Sequence, residues 1–170
     1  MSEDPSGSDL ADEVARATAA LTAVARAALP SFGLAPDAAL HLVHYRENAV
    51  FRVDAPGEPR PWVLRVHRHA YRTPQEIRSE LAWTEALRSA GVRTAEVRPT
   101  TSGDTIAIVR TAALPEPRVV TAIGWIDGIP LAEDDSSAAY RLVGRTSALI
   151  QHHGRTWTAP PGFTRPTWDL

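Results

Sequence analysis

The sequence predicts an α+β domain built on a five-stranded antiparallel sheet with one inserted helix. Alternating apolar residues indicate three successive strands over 39–45, 49–53 and 62–68, joined by short polar breaks. A strong helix start follows at Thr73, and further strand patterns occupy 97–123. Strands that follow one another through short connections pair antiparallel, because parallel pairs need long crossovers.

An amphipathic helix is predicted before the sheet. Apolar residues recur at spacings of three and four from Asp9 to about Leu29, and Pro30 ends the pattern. The first two strands form a hairpin with Arg46-Glu47-Asn48 at its tip, and the proline-containing turn 54–61 leads into the third strand.

The inserted helix has the clearest local signal. Thr73 is an N-cap residue, Pro74 suits the first helical position, and Glu76 follows the cap by three residues. The helix is predicted to run to about Ser89 and to end at Gly91. Counting 100° per residue places Glu80 within its buried apolar stripe.

Arg65 lies in the middle of the third strand, within an apolar run. An unpaired buried charge costs roughly several kcal/mol, so both Arg65 and Glu80 need partners. A single strand-to-helix connection separates them, and we expect them to pair. The pair alone is also compatible with a structural ion pair in an ordinary α+β domain.

The remaining elements complete the predicted order. A hairpin is predicted over 97–109 with its turn at Ser102-Gly103-Asp104, and the last strand starts at Arg118. The chain leaves the sheet between Gly124 and Gly128, and the acidic and capping residues 133–136 begin another helix. We therefore divide the chain into a helical extension (1–36), a central lobe (37–128) and the start of a second lobe (129–170).

Composition excludes several classes of function. The 170 residues are 44% apolar with a net charge of -2 and no basic run, so nucleic-acid binding is disfavoured. The absence of cysteine excludes disulfides and thiolate metal sites. No signal peptide and no apolar run of about 20 residues is present, so we expect a cytoplasmic protein without a membrane partner. The histidines of the first and third strands lack the spacing of a metal site, and none is expected.

Together, the strand order, the helix with its glutamate and the cation on the third strand resemble the N-terminal lobe of the protein-kinase-like fold. In particular they resemble the aminoglycoside phosphotransferase family, which includes choline-, homoserine- and fructosamine-type kinases. The resemblance covers about residues 25–170, and the stretches that carry it are ENAVFRV at Glu47, WVLRVHR at Trp62, EIRSELAWTEAL at Glu76, WIDGIPL at Trp125 and PPGFTRPTWD at Pro160.

The resemblance implies an ATP site. Arg65 stands where the family has a lysine that holds the α- and β-phosphates, and Glu80 stands where a glutamate pairs with that lysine. The loop at the first hairpin tip matches the flap over the phosphates. The other implied nucleotide contacts are Glu47 and Asn48 in the flap, Val63 and Ile123 around the adenine, and the Gly124 C=O and Ile126 N–H at the adenine edge.

Two departures from the family bear on activity. Arg65 replaces the lysine. No H-x-D-x-x-x-x-N loop follows the segment 124–128, where the chain leaves the sheet, because Asn48 is the only asparagine in the sequence. His153-Gly154-Arg155 has arginine where the family has its catalytic aspartate. No catalytic residue is therefore expected in this chain, and the ligands of Mg²⁺, the second implied cofactor, are expected in a missing part of the second lobe.

The implied function is that of an ATP-dependent phosphotransferase acting on a small-molecule hydroxyl of the aminoglycoside, homoserine or choline type, present as its N-terminal portion. Two alternatives stay open: a non-catalytic nucleotide-binding or interaction module, and a gene remnant. The sequence identifies neither the phosphate acceptor nor the oligomeric state.

Overall fold

The structure, a computed structural model, describes residues 7–129 and 136–166. Its helices are α1 (Gly7–Ala28), α2 (Pro74–Ser89) and α3 (Ser137–Thr156), with a short 3₁₀ turn at Leu29–Phe32. The strands are β1 (Ala39–Tyr45), β2 (Asn48–Asp54), β3 (Trp62–His67), β4 (Val97–Arg98), β5 (Ala107–Val109) and β6 (Arg118–Gly124).

The strands form one antiparallel sheet, which confirms the predicted α+β class. Their order is β1-β2-β3-β6-β4, and β5 also pairs with β6. The sheet has six strands rather than the predicted five. Strands β4 and β5 lie end to end along the same edge of β6, with Val97 opposite Ile123 and Ala107 opposite Val120. The prediction that these two segments pair with each other in a hairpin is therefore wrong.

Asp104 connects the loop between β4 and β5 to α2. Its carboxylate accepts hydrogen bonds from the backbone N–H groups of Thr105 and Ile106, at 2.7 and 3.4 Å. It also forms two hydrogen bonds with the Arg78 guanidinium of α2, at 3.0 and 2.7 Å. The loop is thus attached to a helix, while the strand segments on either side of it pair with β6.

Two apolar cores lie on opposite faces of the sheet. The larger one joins α1 and the 3₁₀ turn to Leu64 and Val66 of β3. The smaller one joins Ile77 and Leu81 of α2 to Val97 and Ile106, with Ile123 packed against it. Since alternate residues of a strand face opposite ways, Val63, Arg65 and His67 lie on the α2 face.

The two predicted helix starts are present. Thr73 and Glu76 form the complete capping box at the start of α2, and the helix ends at Ser89. The Ser136 side chain accepts a hydrogen bond from Ala139 N–H at the start of α3. The predicted acidic residues 133–135 lie outside the described residues.

Helix α3 contrasts with the other helices in its exposure. None of its residues is buried, and Leu142 is 65% exposed. After α3 the chain turns back toward α2, where Gly162 C=O accepts a hydrogen bond from the Gln75 side chain at 2.7 Å. Within the described residues, no helix combines the length and the apolarity that crossing a membrane requires.

Candidate functional site

The predicted pair of Arg65 and Glu80 is formed between β3 and α2. The distance from Arg65 Nη1 to Glu80 Oε1 is 2.7 Å, and the two side chains are 34% and 35% exposed. Glu80 is thus half-buried rather than fully inside the apolar stripe of α2. Both charges remain in reach of a ligand that arrives from solvent.

Glu80 has a second cationic partner, Arg165. The Nη1 atom of Arg165 lies 3.2 Å from Glu80 Oε2, so each carboxylate oxygen faces a different arginine. Burial raises the pKa of Glu80, but the charge and hydrogen bond of Arg65, together with those of Arg165, outweigh burial and lower that pKa overall. Glu80 is accordingly ionised at neutral pH.

A cavity of about 150 Å³ opens beside this pair. Its walls contain four arginines and a single carboxylate, that of Glu80, and its lining residues are Asn48, Arg65, His67, Arg68, Tyr71, Arg72, Glu80 and Arg165. Arg72 lies 3.8 Å from Glu76 of the capping box, a partly exposed contact that leaves its charge available. The cavity therefore carries an excess of positive charge, which suits an anion with several negative charges.

His67 forms the buried wall of the cavity. The residue is 5% exposed, and its Nε2 lies 3.2 Å from Thr121 Oγ1 on β6. Burial, reinforced by the charge of Arg65, lowers the pKa of His67 to about 4 despite the opposing charge of Glu80. The imidazole is neutral at pH 7 and adds no charge to the cavity.

The two flap residues occupy different places. Asn48 lines the cavity, and its Oδ1 accepts a hydrogen bond from the Arg68 N–H at 3.2 Å. Glu47 is exposed and lines a different cavity, of about 300 Å³, together with Ala17 and Leu21 of α1. The structure thus brings Asn48, but not Glu47, into the cavity of Arg65.

Val63 and Ile123 are register partners in β3 and β6 on the α2 face of the sheet. Both are half-buried. Beyond Ile123, the Gly124 N–H donates to Glu96 C=O at 2.8 Å and the Trp125 N–H donates to Pro61 C=O at 3.2 Å, which holds the chain where it leaves the sheet. Ile126 is 51% exposed at that point.

Sequence reasoning did not assign a role to Arg65's neighbours Arg68 and Arg72, nor to Arg165. The first two lie in the short connection from β3 to α2, so their proximity to the Arg65–Glu80 pair follows from chain distance. Arg165 is 85 residues from Glu80 along the chain, and no periodicity marks the segment around it. Only the folded arrangement identifies it.

The described residues do not provide a metal site. Over 7–129 and 136–166, no group of three or more histidine, cysteine, aspartate or glutamate residues is placed to hold a metal ion. The one carboxylate of the cavity, Glu80, has an arginine on each oxygen. These residues do not fit a magnesium-binding role.

Comparison with known proteins gives three kinds of match. A model of the phosphotransferase enzyme family (APH) matches residues 42–170. An uncharacterized protein of Deinococcus radiodurans is 32% identical over 139 residues, which are 82% of this chain and 39% of that protein. A microcompartment-associated aminopropanol kinase structure matches with a TM-score of 0.75 and 33% identity, over 87% of this chain and 45% of the kinase.

A second solved structure shares the fold. It is an amicoumacin kinase in complex with AMP-PNP, Ca²⁺ and Ami, with a TM-score of 0.71 and 15% identity over 86% of this chain and 43% of the kinase. The chain spans less than half the length of each of these relatives.

Proposed function

Because the chain belongs to the phosphotransferase enzyme family (APH), as its motifs predicted, we propose that the cavity beside Arg65 binds the phosphates of ATP. The family and the kinase neighbours place the chain among small-molecule phosphotransferases, with a protein-kinase-like N-terminal lobe. The proposed reaction of the whole protein is phosphoryl transfer from ATP to a hydroxyl of a small molecule. The single observation that carries the proposal is the excess of arginine over carboxylate in this cavity.

The arginines suit a polyphosphate chemically. Guanidinium groups stay protonated at all physiological pH values and present several N–H donors that match phosphate oxygens in pairs. Glu80 orients Arg65 at 2.7 Å while leaving the other donors of that guanidinium for a ligand. A half-buried site also weakens solvent screening, so each phosphate contact is stronger than at an open surface.

The same face of the sheet supports binding of the adenine. Val63 precedes Arg65 by two residues, which puts the two side chains about 7 Å apart on one face. Val63 and its register partner Ile123 are apolar, and the strand β6 ends beside them at Gly124. We propose that the base lies over Val63 and Ile123 with its edge toward the Gly124 C=O and the Ile126 N–H.

Within the chain, residues contribute binding and orientation rather than a transfer step. The 170 residues contain no H-x-D-x-x-x-x-N sequence, and the described residues do not fit a magnesium site. The structure of the amicoumacin kinase with AMP-PNP and Ca²⁺ supports an adenine nucleotide and a divalent cation as partners of the family's fold. The aminopropanol kinase supports an alcohol as acceptor, and we extend this to hydroxyl-bearing small molecules in general.

A second candidate is a non-catalytic nucleotide-binding module. Arginine at position 65, in place of the family lysine, favours it, since a planar guanidinium and an ammonium place their donors differently. However, the whole chain contains no lysine. Arginine in place of lysine is therefore a feature of the entire sequence, and position 65 is not a special case. The two candidates share ATP binding and differ in turnover.

The first test measures ATP binding by the purified chain. We expect ATP to raise the melting temperature, because a ligand at 100 times its Kd stabilises the folded state by ~2.7 kcal/mol. Arg65→Ala should abolish the shift. Arg145→Gln, which removes an exposed arginine of α3 that does not line the cavity, is the matched control and should retain it.

Absence of any ATP effect on the wild-type chain would contradict both candidates. The reading frame past Leu170 separates them, because the 170 residues supply no transfer step. A downstream H-x-D-x-x-x-x-N sequence, with ADP formation that depends on an added amino alcohol in the protein that includes it, supports the phosphotransferase. ATP binding without such a sequence supports the module.

A further inference from the structure

We propose that Arg165 is a second phosphate ligand of this site, and that the segment 160–165 docks on α2 to deliver it. The ligand class is a polyphosphate, such as the triphosphate of a nucleotide. The inference rests on the proposed function for its ligand, but the geometry that carries it is independent of the adenine.

The carboxylate of Glu80 lies between two guanidinium groups. Arg65 contacts Oε1 at 2.7 Å and Arg165 contacts Oε2 at 3.2 Å, and both arginines line the same cavity. One arginine already balances the charge of one carboxylate, so the second is in excess. Arg165 remains 39% exposed, and a guanidinium has five N–H donors, so it retains donors for an anion.

The chain on the N-terminal side of Arg165 is attached to α2 by two hydrogen bonds. The Thr164 N–H donates to the Ser79 hydroxyl at 3.0 Å, and Gly162 C=O accepts from the Gln75 side chain at 2.7 Å. Ser79 is only 3% exposed, so its bond is protected from water. The buried hydroxyl of Ser79, on the packed face of α2, thus positions Thr164, the residue next to Arg165.

The segment itself has a defined shape. Gly162 has a φ of 78°, a left-handed conformation that favours glycine, and the Phe163 N–H closes a turn by donating to Pro160 C=O at 3.1 Å. Phe163 also packs edge-on against Trp157, with ring centroids 5.0 Å apart. The segment is therefore built to present Arg165 in one place, which reduces the ordering cost of binding an anion.

The experiment measures Kd by calorimetry for ATP, tripolyphosphate and adenosine, using wild type, Arg165→Gln and Arg165→Lys. Arg165→Gln should weaken ATP and tripolyphosphate at least tenfold, or ~1.4 kcal/mol, and leave adenosine unchanged. Arg165→Lys should recover part of the loss because it keeps the charge. Arg145→Gln should bind all three ligands as wild type does. ATP affinity that is unchanged or higher in Arg165→Gln would overturn the proposal, the higher affinity indicating that Arg165 competes with the phosphates for the site.

A second variant tests delivery without altering the cavity. Ser79→Ala removes the hydroxyl that holds Thr164 and should weaken tripolyphosphate severalfold while adenosine binding persists; unchanged affinity would contradict the role of the docked segment. Melting curves without ligand verify that each variant is folded. Wild-type binding of ATP that Arg165→Gln does not weaken defeats this inference alone. If the wild type binds tripolyphosphate but neither ATP nor adenosine, the proposed nucleotide function is wrong and the anion site is retained. If it binds none of the three ligands, the proposed function and this inference are both wrong.

Discussion

Replacing His67 by glutamine should remove an acid-sensitive contribution to stability. In the folded chain burial and the nearby Arg65 lower the pKa of His67 from 6.5 to about 4. Between these two values the unfolded chain binds a proton that the folded chain does not, so stability rises with pH across this interval. The contribution is fully present above pH 6.5 and is lost as the pH falls toward 4.

The magnitude follows from the size of the pKa change. At 1.36 kcal/mol per pKa unit, the loss for His67 between pH 7.5 and 4 is ~3 kcal/mol. Glutamine does not titrate, and its amide offers a hydrogen bond to Thr121 Oγ1, which the ring nitrogen contacts at 3.2 Å. Lowering the pH from 7.5 to 4 should therefore reduce the unfolding free energy of the wild type by ~3 kcal/mol more than that of His67→Gln.

The assay is urea denaturation followed by tryptophan fluorescence at pH 7.5, 6, 5 and 4. His44→Gln, which removes an exposed imidazole of β1, controls for the loss of one histidine. A pH-dependent difference below ~1 kcal/mol for His67→Gln, or one of opposite sign, would refute the reasoning that burial keeps this ring neutral.

Three further predictions concern stability. Asp104→Asn should lower the unfolding free energy by up to ~1 kcal/mol at pH 7, a figure kept small because the pair is partly exposed. The hydrogen bond from Arg78 lowers the pKa of Asp104 to about 2, so this stabilisation is present above pH 3.8 and disappears toward pH 2; a difference that persists at pH 2 would contradict it. Thr73→Ala should cost ~1 kcal/mol through loss of the capping box, and Thr73→Ser should restore most of it in the same denaturation assay. Leu64→Ala should cost ~2–5 kcal/mol with an unchanged denaturant slope, because Leu64 is 0% exposed in the larger core; a loss under ~1 kcal/mol would show that the core collapses around the gap.

The elements predicted best from sequence are those specified by local interactions. The capping box of α2 depends on residues 73–76 alone, and the structure contains it with its full set of hydrogen bonds. The Arg65–Glu80 pair could be predicted from local patterns. Strand alternation and helix periodicity indicate which face of each element carries the side chain, and the short connection between β3 and α2 keeps the two elements close.

The prediction for 97–109 failed because a turn signal does not specify which strands pair. Ser102-Gly103-Asp104 does form a turn, with the Gly103 N–H donating to Thr100 C=O at 2.9 Å. The partner of both flanking segments is β6, whose free edge satisfies their backbone groups. Asp104 is used by Arg78 of α2, a contact that local sequence does not reveal.

By itself the sequence determined the α+β class, the order of the elements, the family and the pairing of Arg65 with Glu80, because periodicity, capping and chain proximity are local or nearly so. The tertiary structure alone decided that Glu80 stays half-buried, that Glu47 and Asn48 line different cavities, and that Arg165 contacts the Glu80 carboxylate from 85 residues away. Such contacts depend on how separate elements pack, and a single cation in a segment without periodicity leaves no pattern from which its partner can be inferred.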